Sequence, residues 1–215
     1  MFSDREDAAA RLAGLLERYK SDQDAVIVAI PRGGVVTGAV LARALRLPLD
    51  VILTKKIGHP LEPEYAIGVV NLSHEVLNQE VIKRDAIKPE YIRGEIARIR
   101  DLLRRRQVDY YGGREPVPLK GKTALIVDDG VATGNTMLAA IRLARDEGAK
   151  KVVVGVPVAP SDTLLRLREQ ADEVFCVLVP ETFFAIGQFY DSFEQVGDAE
   201  AIRLLNEAAS PGPAR

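Results

Sequence analysis

The chain has 215 residues, of which 28% are charged, and its acidic and basic side chains nearly cancel to a net charge of -2 and a pI near 5.8. This balance provides no overall basic field that would attract nucleic acid or a membrane surface. The single cysteine, Cys176, excludes a disulfide framework and a Cys-rich metal site. Because the sequence shows no signal-like apolar segment and no run close to the roughly 18 apolar residues of a membrane span, we expect a cytoplasmic protein.

Apolar positions at helical spacing predict a first helix over about residues 4–19. Beyond it, short β-branched runs alternate with helical patterns, as they do in successive βαβ units. The runs are apolar at nearly every position, which is typical of parallel strands covered on both faces. The predicted strands are 25–30, 50–55, 123–129, 151–158 and 173–179, and the predicted helices between them are 33–46, 133–148 and 161–170.

Residues 55–120 interrupt this alternation. They contain an irregular stretch, KKIGHPLEPEYAIG, a hairpin-like region, VVNLSHEVLN, and a helical pattern near 90–110. The arginines of that helix are most simply a solvated outer face, although they also offer the best support for a role in binding nucleic acid. With no repeat and no linker in view, the sequence predicts one domain over residues 1–215 with its core at about 21–180.

Two adjacent acids, Asp128 and Asp129, follow the apolar strand LIV. Ligands of a parallel sheet bind at the carboxyl ends of its strands, so these acids lie where a ligand is expected. Burying an unpaired carboxylate is costly, which favours a partner outside the chain. Because successive strand residues point to opposite faces, the two acids suit bracketing a polyol or reaching a metal-bound water better than acting as an acid/base pair.

The segment GVATGNT after the acids predicts a turn into a helix, with free N–H groups and the hydroxyls of Thr133 and Thr136 around an anion site. Other nucleotide-binding patterns do not fit. Gly121-Lys122-Thr123 precedes a strand, whereas a P-loop follows one, and Pro116 occupies the place of the required glycine. The turn also lacks the GxGxxG spacing of a dinucleotide fold.

The stretch ALIVDDGVATGNT resembles the phosphoribosyl diphosphate (PRPP) binding signature of type I phosphoribosyltransferases, although Gly130 replaces the aliphatic residue or serine usual there. The resemblance implies an α/β fold with a parallel-sheet core flanked by helices and a small hood. It also implies that Asp128 and Asp129 lie by the ribose 2′- and 3′-hydroxyls. The 5′-phosphate would be held by the loop that follows them, Gly130, Val131, Ala132, Thr133, Gly134, Asn135 and Thr136.

Other segments fit the same resemblance. The turn in AIPRGGVVTG, with Arg32, Gly33 and Gly34, corresponds to the family's pyrophosphate loop, and a cis peptide bond on one side of Arg32 is implied there. Lys55 and Lys56, at the end of the next predicted strand, are similar to a basic pair that contacts pyrophosphate in several relatives. Residues 57–66 stand where the family carries its mobile catalytic loop.

The implied activity is transfer of ribose 5-phosphate from PRPP to a nitrogen acceptor of the nucleobase type, with release of pyrophosphate, as in nucleotide metabolism. Asp128, Asp129, Arg32 and Lys56 would carry catalysis. The cofactor would be Mg²⁺, held mainly by PRPP and water with no direct protein ligand. A homodimer is an option that the sequence leaves open. The alternative is a non-catalytic regulator on the same fold that senses PRPP or binds RNA.

An aromatic-rich run, PETFFAIGQFYDSF, follows the last predicted strand, and we expect residues 181–195, with N-terminal contributions, to form the hood. In the hood Phe184 would stack on the acceptor and Tyr190 would offer its phenol at the rim of the cleft. The competing interpretation of the run is a satellite hydrophobic cluster that fixes the C-terminal segment to the sheet.

Overall fold

The computed structural model describes residues 1–209, so residues 210–215 of the predicted domain lie outside it. The chain forms two compact units. The core unit takes in Met1–Ile52 and the chain from Glu115 onward, and the inserted unit takes in Leu53–Arg114. The inserted unit corresponds to the segment that interrupts the βα alternation, and the prediction of one domain did not distinguish it.

Both units are built from helices and strands. In chain order the helices are α1 Arg5–Leu15, α2 Gly33–Leu45, α3 Gln79–Arg84, α4 Pro89–Tyr111, α5 Asn135–Asp146, α6 Ser161–Arg168 and α7 Asp198–Ala209. The strands are β1 Ala25–Ala29, β2 Leu49–Val51, β3 Lys55–Gly58, β4 Ala66–Val70, β5 Glu75–Leu77, β6 Thr123–Val127, β7 Lys151–Val158 and β8 Glu173–Leu178. Short 3₁₀ turns occupy Glu17–Tyr19 and Ile186–Phe189.

The core unit contains a five-stranded parallel sheet in the order β2-β1-β6-β7-β8. Every residue of β1, β2 and β6 is buried, as expected for strands covered on both faces. In the pairing of β1 with β6, Ala29 lies opposite Val127, so the two strands end side by side. This sheet confirms the predicted α/β fold class.

The predicted strand over 50–55 is wrong in its second half. Strand β2 follows β1 only as far as Val51, which lies opposite Ala29. Lys55 and Lys56 instead begin β3, which pairs antiparallel with β4 in the inserted unit. The run DVILTK is apolar through the break, so its pattern contained no sign that the chain changes sheets.

The inserted unit contains the antiparallel sheet β3-β4-β5, and its β4–β5 hairpin confirms the hairpin predicted for VVNLSHEVLN. Residues 59–65 connect β3 to β4. Helix α4 buries Ile92, Ile99 and Leu103. Several of its arginines pair with nearby acids, as a solvated outer face would: Arg93 with Glu90, Arg98 with Glu95, Arg100 with Glu75 and Arg104 with Asp101.

Within residues 1–209, no helix has both the length and the apolar character needed to cross a membrane.

Helix α2 lies against the sheet through Gly38. A Cβ at Gly38 would lie 2.8 Å from Leu49 Cδ1 and 3.1 Å from Ala29 Cβ, whereas a Cβ at Gly14 of α1 would meet nothing within 4 Å. We therefore expect Gly38→Val to lower the free energy of unfolding by about 1–3 kcal/mol through overpacking. The matched Gly14→Val variant should stay within about 0.5 kcal/mol of the parent, since it changes only helix propensity. Urea denaturation of both variants measures this, and equal midpoints would contradict the close packing of α2.

Candidate active site

The acid pair lies directly after β6. The Asp128 carboxylate accepts a hydrogen bond from the Asp129 N–H at 2.9 Å, which fixes the first acid against the backbone of the second. Burial, reinforced by the neighbouring Asp129 carboxylate, raises the pKa of Asp128 well above its ordinary value. The two acids therefore do not share one environment, although they are adjacent in the chain.

Asp129 has a partner inside the chain, in contrast to the partner outside it that we expected. The Arg5 Nε donates to Asp129 Oδ2 at 2.7 Å, and the two side chains are only 12% and 10% exposed. The Arg5 guanidinium also lies over the Phe193 ring, 3.8 Å from its centroid, and donates through Nη1 to the Glu194 carbonyl at 2.8 Å. Sequence reasoning missed Arg5 because the two partners are 124 positions apart and charged residues are frequent in a first helical turn.

The turn that follows β1 lies against the acids. A Cβ at Gly33 would be 2.0 Å from Asp129 Oδ2, and a Cβ at Gly34 would be 2.9 Å from Asp128 Oδ1. Only glycine leaves room for the carboxylates at these positions, a reason for the glycine pair that the sequence did not reveal. Arg32 caps the N-terminus of α2, and the peptide bond before it, Pro31–Arg32, is cis, as the resemblance implied.

The loop Gly130–Thr136 turns the chain from β6 into α5. Gly134 adopts φ of 75°, the left-handed region that favours glycine. The backbone N–H groups of 132–136 donate no hydrogen bond to any residue within 1–209. They precede or begin α5, whose N-terminus carries a partial positive charge. The loop thus offers the unpaired donors and positive potential that an anion needs.

Side chains of helix α6 donate hydrogen bonds to carbonyl oxygens of this loop. The Thr163 hydroxyl donates to the Ala132 carbonyl at 2.7 Å, and Arg166 donates to the Thr133 carbonyl at 3.0 Å and to Asn135 Oδ1 at 3.3 Å. Holding these carbonyls from α6 satisfies their acceptor capacity while the N–H groups stay unpaired. No sequence signal identified Thr163 or Arg166, since they belong to an ordinary amphipathic helix.

Gly130 is explained by the hood. A Cβ at Gly130 would lie 2.6 Å from Ile186 Cγ2 and 3.1 Å from Val158 Cγ1. The hood thus contacts the backbone directly after the acids, and the aliphatic residue or serine usual in the family would not fit at this position without movement of Ile186.

The hood, residues 181–195, is joined to the N-terminus by backbone hydrogen bonds. Phe2 donates to the Phe189 carbonyl and accepts from Asp191 N, and Ser3 accepts from Ser192 N. Phe2, Phe189 and Tyr190 are buried together with Ala8 and Val158 in one cluster. Residues 2 and 3 thus pack with residues 181–195, and aromatic residues of both segments form a hydrophobic cluster. That these residues form a hood over a ligand stays a prediction.

The two predicted acceptor-binding residues differ sharply in exposure. Tyr190 is buried, not at the rim, because its hydroxyl donates to the Asp129 carbonyl; burial, with the Asp129 carboxylate adding to it, raises the pKa of this phenol. Tyr190 thus supports the acid pair from within the hood. Phe184 is 86% exposed and does not belong to the buried cluster, so its ring is available for stacking.

The predicted basic pair, Lys55 and Lys56, is exposed on β3 of the inserted unit. Among the described residues, no group of three or more His, Cys, Asp and Glu side chains is arranged to hold a metal ion.

The two acids, the turn at residues 32–34 and the loop at residues 130–136 thus lie together at the ends of the neighbouring parallel strands β1 and β6. A family model described as the phosphoribosyl transferase domain matches residues 3–194. The chain belongs to this family. Membership confirms the resemblance carried by ALIVDDGVATGNT.

Several known proteins are similar to this chain. A Mycobacterium tuberculosis protein named as a candidate phosphoribosyl transferase is 39% identical over 209 residues, which make up 97% of this chain and 47% of that protein. The chain thus spans about half the length of that curated relative. The crystal structure of TT1426 from Thermus thermophilus is 39% identical, with 97% of this chain and 99% of that chain covered and a TM-score of 0.85. The uracil phosphoribosyltransferase of Aeropyrum pernix is 44% identical over 55 residues, 26% of this chain and 25% of that enzyme.

The contact between α6 and the loop yields a prediction about anion binding. Thr163→Val keeps the side-chain volume but removes the hydroxyl that holds the Ala132 carbonyl. We expect inorganic phosphate to bind about five- to tenfold more weakly, because one hydrogen bond contributes about 1 kcal/mol. An NMR titration that follows the Thr136 amide measures the affinity. Thr163→Ser keeps the hydroxyl and is the control; an equal loss in both variants, or none in Thr163→Val, would contradict this role for α6.

Proposed function

We propose that this domain catalyses the Mg²⁺-dependent transfer of ribose 5-phosphate from PRPP to a nitrogen acceptor, with release of pyrophosphate. The observation that carries the proposal is the meeting of three features at the ends of β1 and β6: the anion loop 130–136, the acid pair and the Arg32–Gly34 turn. PRPP has three matching parts, namely a 5′-phosphate, a sugar with two free hydroxyls and a diphosphate.

The loop suits the 5′-phosphate. The unpaired N–H groups of 132–136 and the hydroxyls of Thr133 and Thr136 are donors for a dianion at the N-terminus of α5. A charge at a helix end contributes about 0.3–1 kcal/mol, and each hydrogen bond to a charged group about 1.5–3 kcal/mol. Several such contacts together would anchor the substrate while C1 reacts.

The acid pair suits the ribose. Asp129 uses Oδ2 for Arg5, and its Oδ1 accepts no hydrogen bond from residues 1–209. It can therefore accept a sugar hydroxyl without losing Arg5. Asp128 is the adjacent residue, and burial raises its pKa. It would bind the second hydroxyl of the sugar.

The turn suits the diphosphate. The N–H groups of Gly33 and Gly34 lie in the first turn of α2, where helical hydrogen bonding leaves them without an acceptor, and Arg32 precedes them. As the bond from C1 to the diphosphate oxygen breaks, the leaving group takes the electron pair, and Arg32 would stabilise the growing negative charge. A role of Lys55 and Lys56 in this step stays a prediction from the sequence.

The donor set fits Mg²⁺ that is carried by the substrate. Two carboxylates, one of them paired with Arg5, are too few for a metal cage made of protein, whereas Mg²⁺ commonly binds through phosphates and water. When bound there, Mg²⁺ would neutralise negative charge on the diphosphate. The protein's own task is then to hold both ends of PRPP and to align C1 with the acceptor.

The acceptor's nitrogen would form the new bond to C1 through a transition state with oxocarbenium character, without a covalent enzyme intermediate. That residues 57–66 exclude water, which is a competing nucleophile, stays a prediction from the sequence. A nucleobase acceptor is supported by the name of the Aeropyrum pernix relative, which acts on uracil, and by the exposed ring of Phe184 in the hood.

The direct test is a set of calorimetric titrations with PRPP and Mg²⁺, followed by a screen of purine and pyrimidine bases for pyrophosphate release. Binding followed by release with one base supports the transferase. Binding without release for any base would favour the PRPP-sensing regulator, and no binding would reject both.

If the acid pair binds the ribose, its removal should weaken the binding of PRPP much more than the binding of inorganic phosphate. In the double variant Asp128→Asn with Asp129→Asn, we expect PRPP affinity to fall by about 100-fold, because two charge-assisted hydrogen bonds to the sugar are weakened. Affinity for inorganic phosphate, measured by the same calorimetry, should change less than about threefold, since the loop donors remain. If both ligands lose affinity equally, the acids do not bind ribose.

Phe184 provides a prediction for the acceptor site. Phe184→Ala should raise the acceptor's KM by about tenfold, because stacking of a base on an aromatic ring contributes about 1–3 kcal/mol. The KM for PRPP and the melting temperature should remain close to those of the parent, since the ring is 86% exposed. Steady-state kinetics and thermal unfolding measure both. An unchanged acceptor KM would remove Phe184 from the site.

A further inference from the structure

Arg5 is a charged side chain that contacts both the acid pair and the hood. It belongs to the first turn of α1, and residues 2 and 3 just before it are hydrogen-bonded to the hood. Its guanidinium contacts three different groups: the Asp129 carboxylate, the Glu194 carbonyl and the face of the Phe193 ring. Arg5 is therefore held in a single place by the hood while it pairs with an acid at the end of β6.

We propose that Arg5 is a positioning residue of the site, which balances the negative charge of the acid pair and holds the Asp129 carboxylate in the orientation that accepts a sugar hydroxyl. The inference rests on the proposed function, since it takes Asp129 to bind ribose. It goes beyond that function because it assigns a part of the site to α1 and explains how the hood is coupled to the acids.

The geometry supports a role for Arg5 in positioning Asp129 and not a role in blocking the site. Arg5 binds only Oδ2 of Asp129, and Oδ1 accepts no donor from the described residues. A Cβ at Gly33 would lie only 2.0 Å from the same Oδ2, so the carboxylate is confined between Arg5 and the glycine turn. An arginine that merely blocked the site would have to leave when substrate binds, and its contacts with Phe193 and the Glu194 carbonyl would then be lost.

The electrostatic surroundings agree with this role. The titratable groups that act on Asp128 are Asp129, which raises its pKa in addition to burial, and Arg5, which lowers it. Tyr190 also faces the pair, and its hydroxyl donates to the Asp129 carbonyl. Without Arg5, two adjacent carboxylates would lie in a buried site with no cation beside them, which would raise the pKa of Asp128 further.

The test compares three variants. Arg5→Gln removes the charge and keeps a hydrogen-bonding side chain, and Arg5→Lys keeps the charge but loses the planar fork. Arg11→Gln is the matched control, because Arg11 also lies on α1, pairs with an aspartate, Asp7, and contacts an aromatic ring, Phe2, but does not reach the acids.

Two measurements are made on each variant. Carbon NMR of the aspartate carboxyls follows the titration of Asp128 in the free protein, and calorimetry measures PRPP affinity with Mg²⁺ from pH 6 to pH 9. For Arg5→Gln we expect a higher pKa of Asp128 and PRPP binding weakened by about tenfold near neutral pH, with the deficit shrinking as pH rises and Asp128 ionises. Arg5→Lys should recover much of both, and Arg11→Gln should match the parent in both.

Two results would overturn the proposal. If Arg5→Gln binds PRPP as tightly as the parent or more tightly, Arg5 blocks the site or has no part in it. If Arg5→Gln loses the same factor at every pH and Arg5→Lys is no better, Arg5 serves the fold alone. If the parent itself fails to bind PRPP, the proposed function fails, and the carboxyl titration still decides whether Arg5 lowers the pKa of Asp128.

Discussion

The constraint on which the rest of the core unit depends is the close contact between the two acids after β6 and the two glycines after β1. Parallel pairing of these neighbouring strands makes them end side by side, with Ala29 opposite Val127. A side chain at Gly33 or Gly34 would occupy the space of the Asp129 or Asp128 carboxylate. Carboxylates in these places therefore require glycine at both positions of the turn.

Around this contact, the neighbouring elements each fix one part of the site. Helix α6 holds the carbonyls of the anion loop through Thr163 and Arg166, so the loop's N–H groups are left for a ligand. The hood lies against Gly130 through Ile186, and Tyr190 binds the Asp129 carbonyl. Sites that are held by their surroundings in this way require little rearrangement when a substrate binds.

Much of this arrangement could be predicted from the sequence, and the parts that could not have physical reasons. The apolar runs and the order of acids, small residues and threonines identify the parallel sheet and the turn from the acids into α5, because those signals are local. The contacts of Arg5 and of Thr163 are not local: they join residues 124 and 31 positions apart. The break after Val51 was hidden for a different reason, since the apolar pattern continues through it while the chain changes its pairing partner.

The two acids are adjacent in the sequence but differ in their surroundings. Asp129 has a cation, Arg5, whereas Asp128 has the Asp129 N–H and a raised pKa. A pair of equal, unpaired carboxylates would repel each other in a buried site and would bind a metal ion strongly. With Arg5 present, much of that negative charge is already balanced, so the pair is better suited to neutral hydroxyl groups than to a cation held by the protein. This charge balance connects the first helix of the chain to the acid pair at the end of β6.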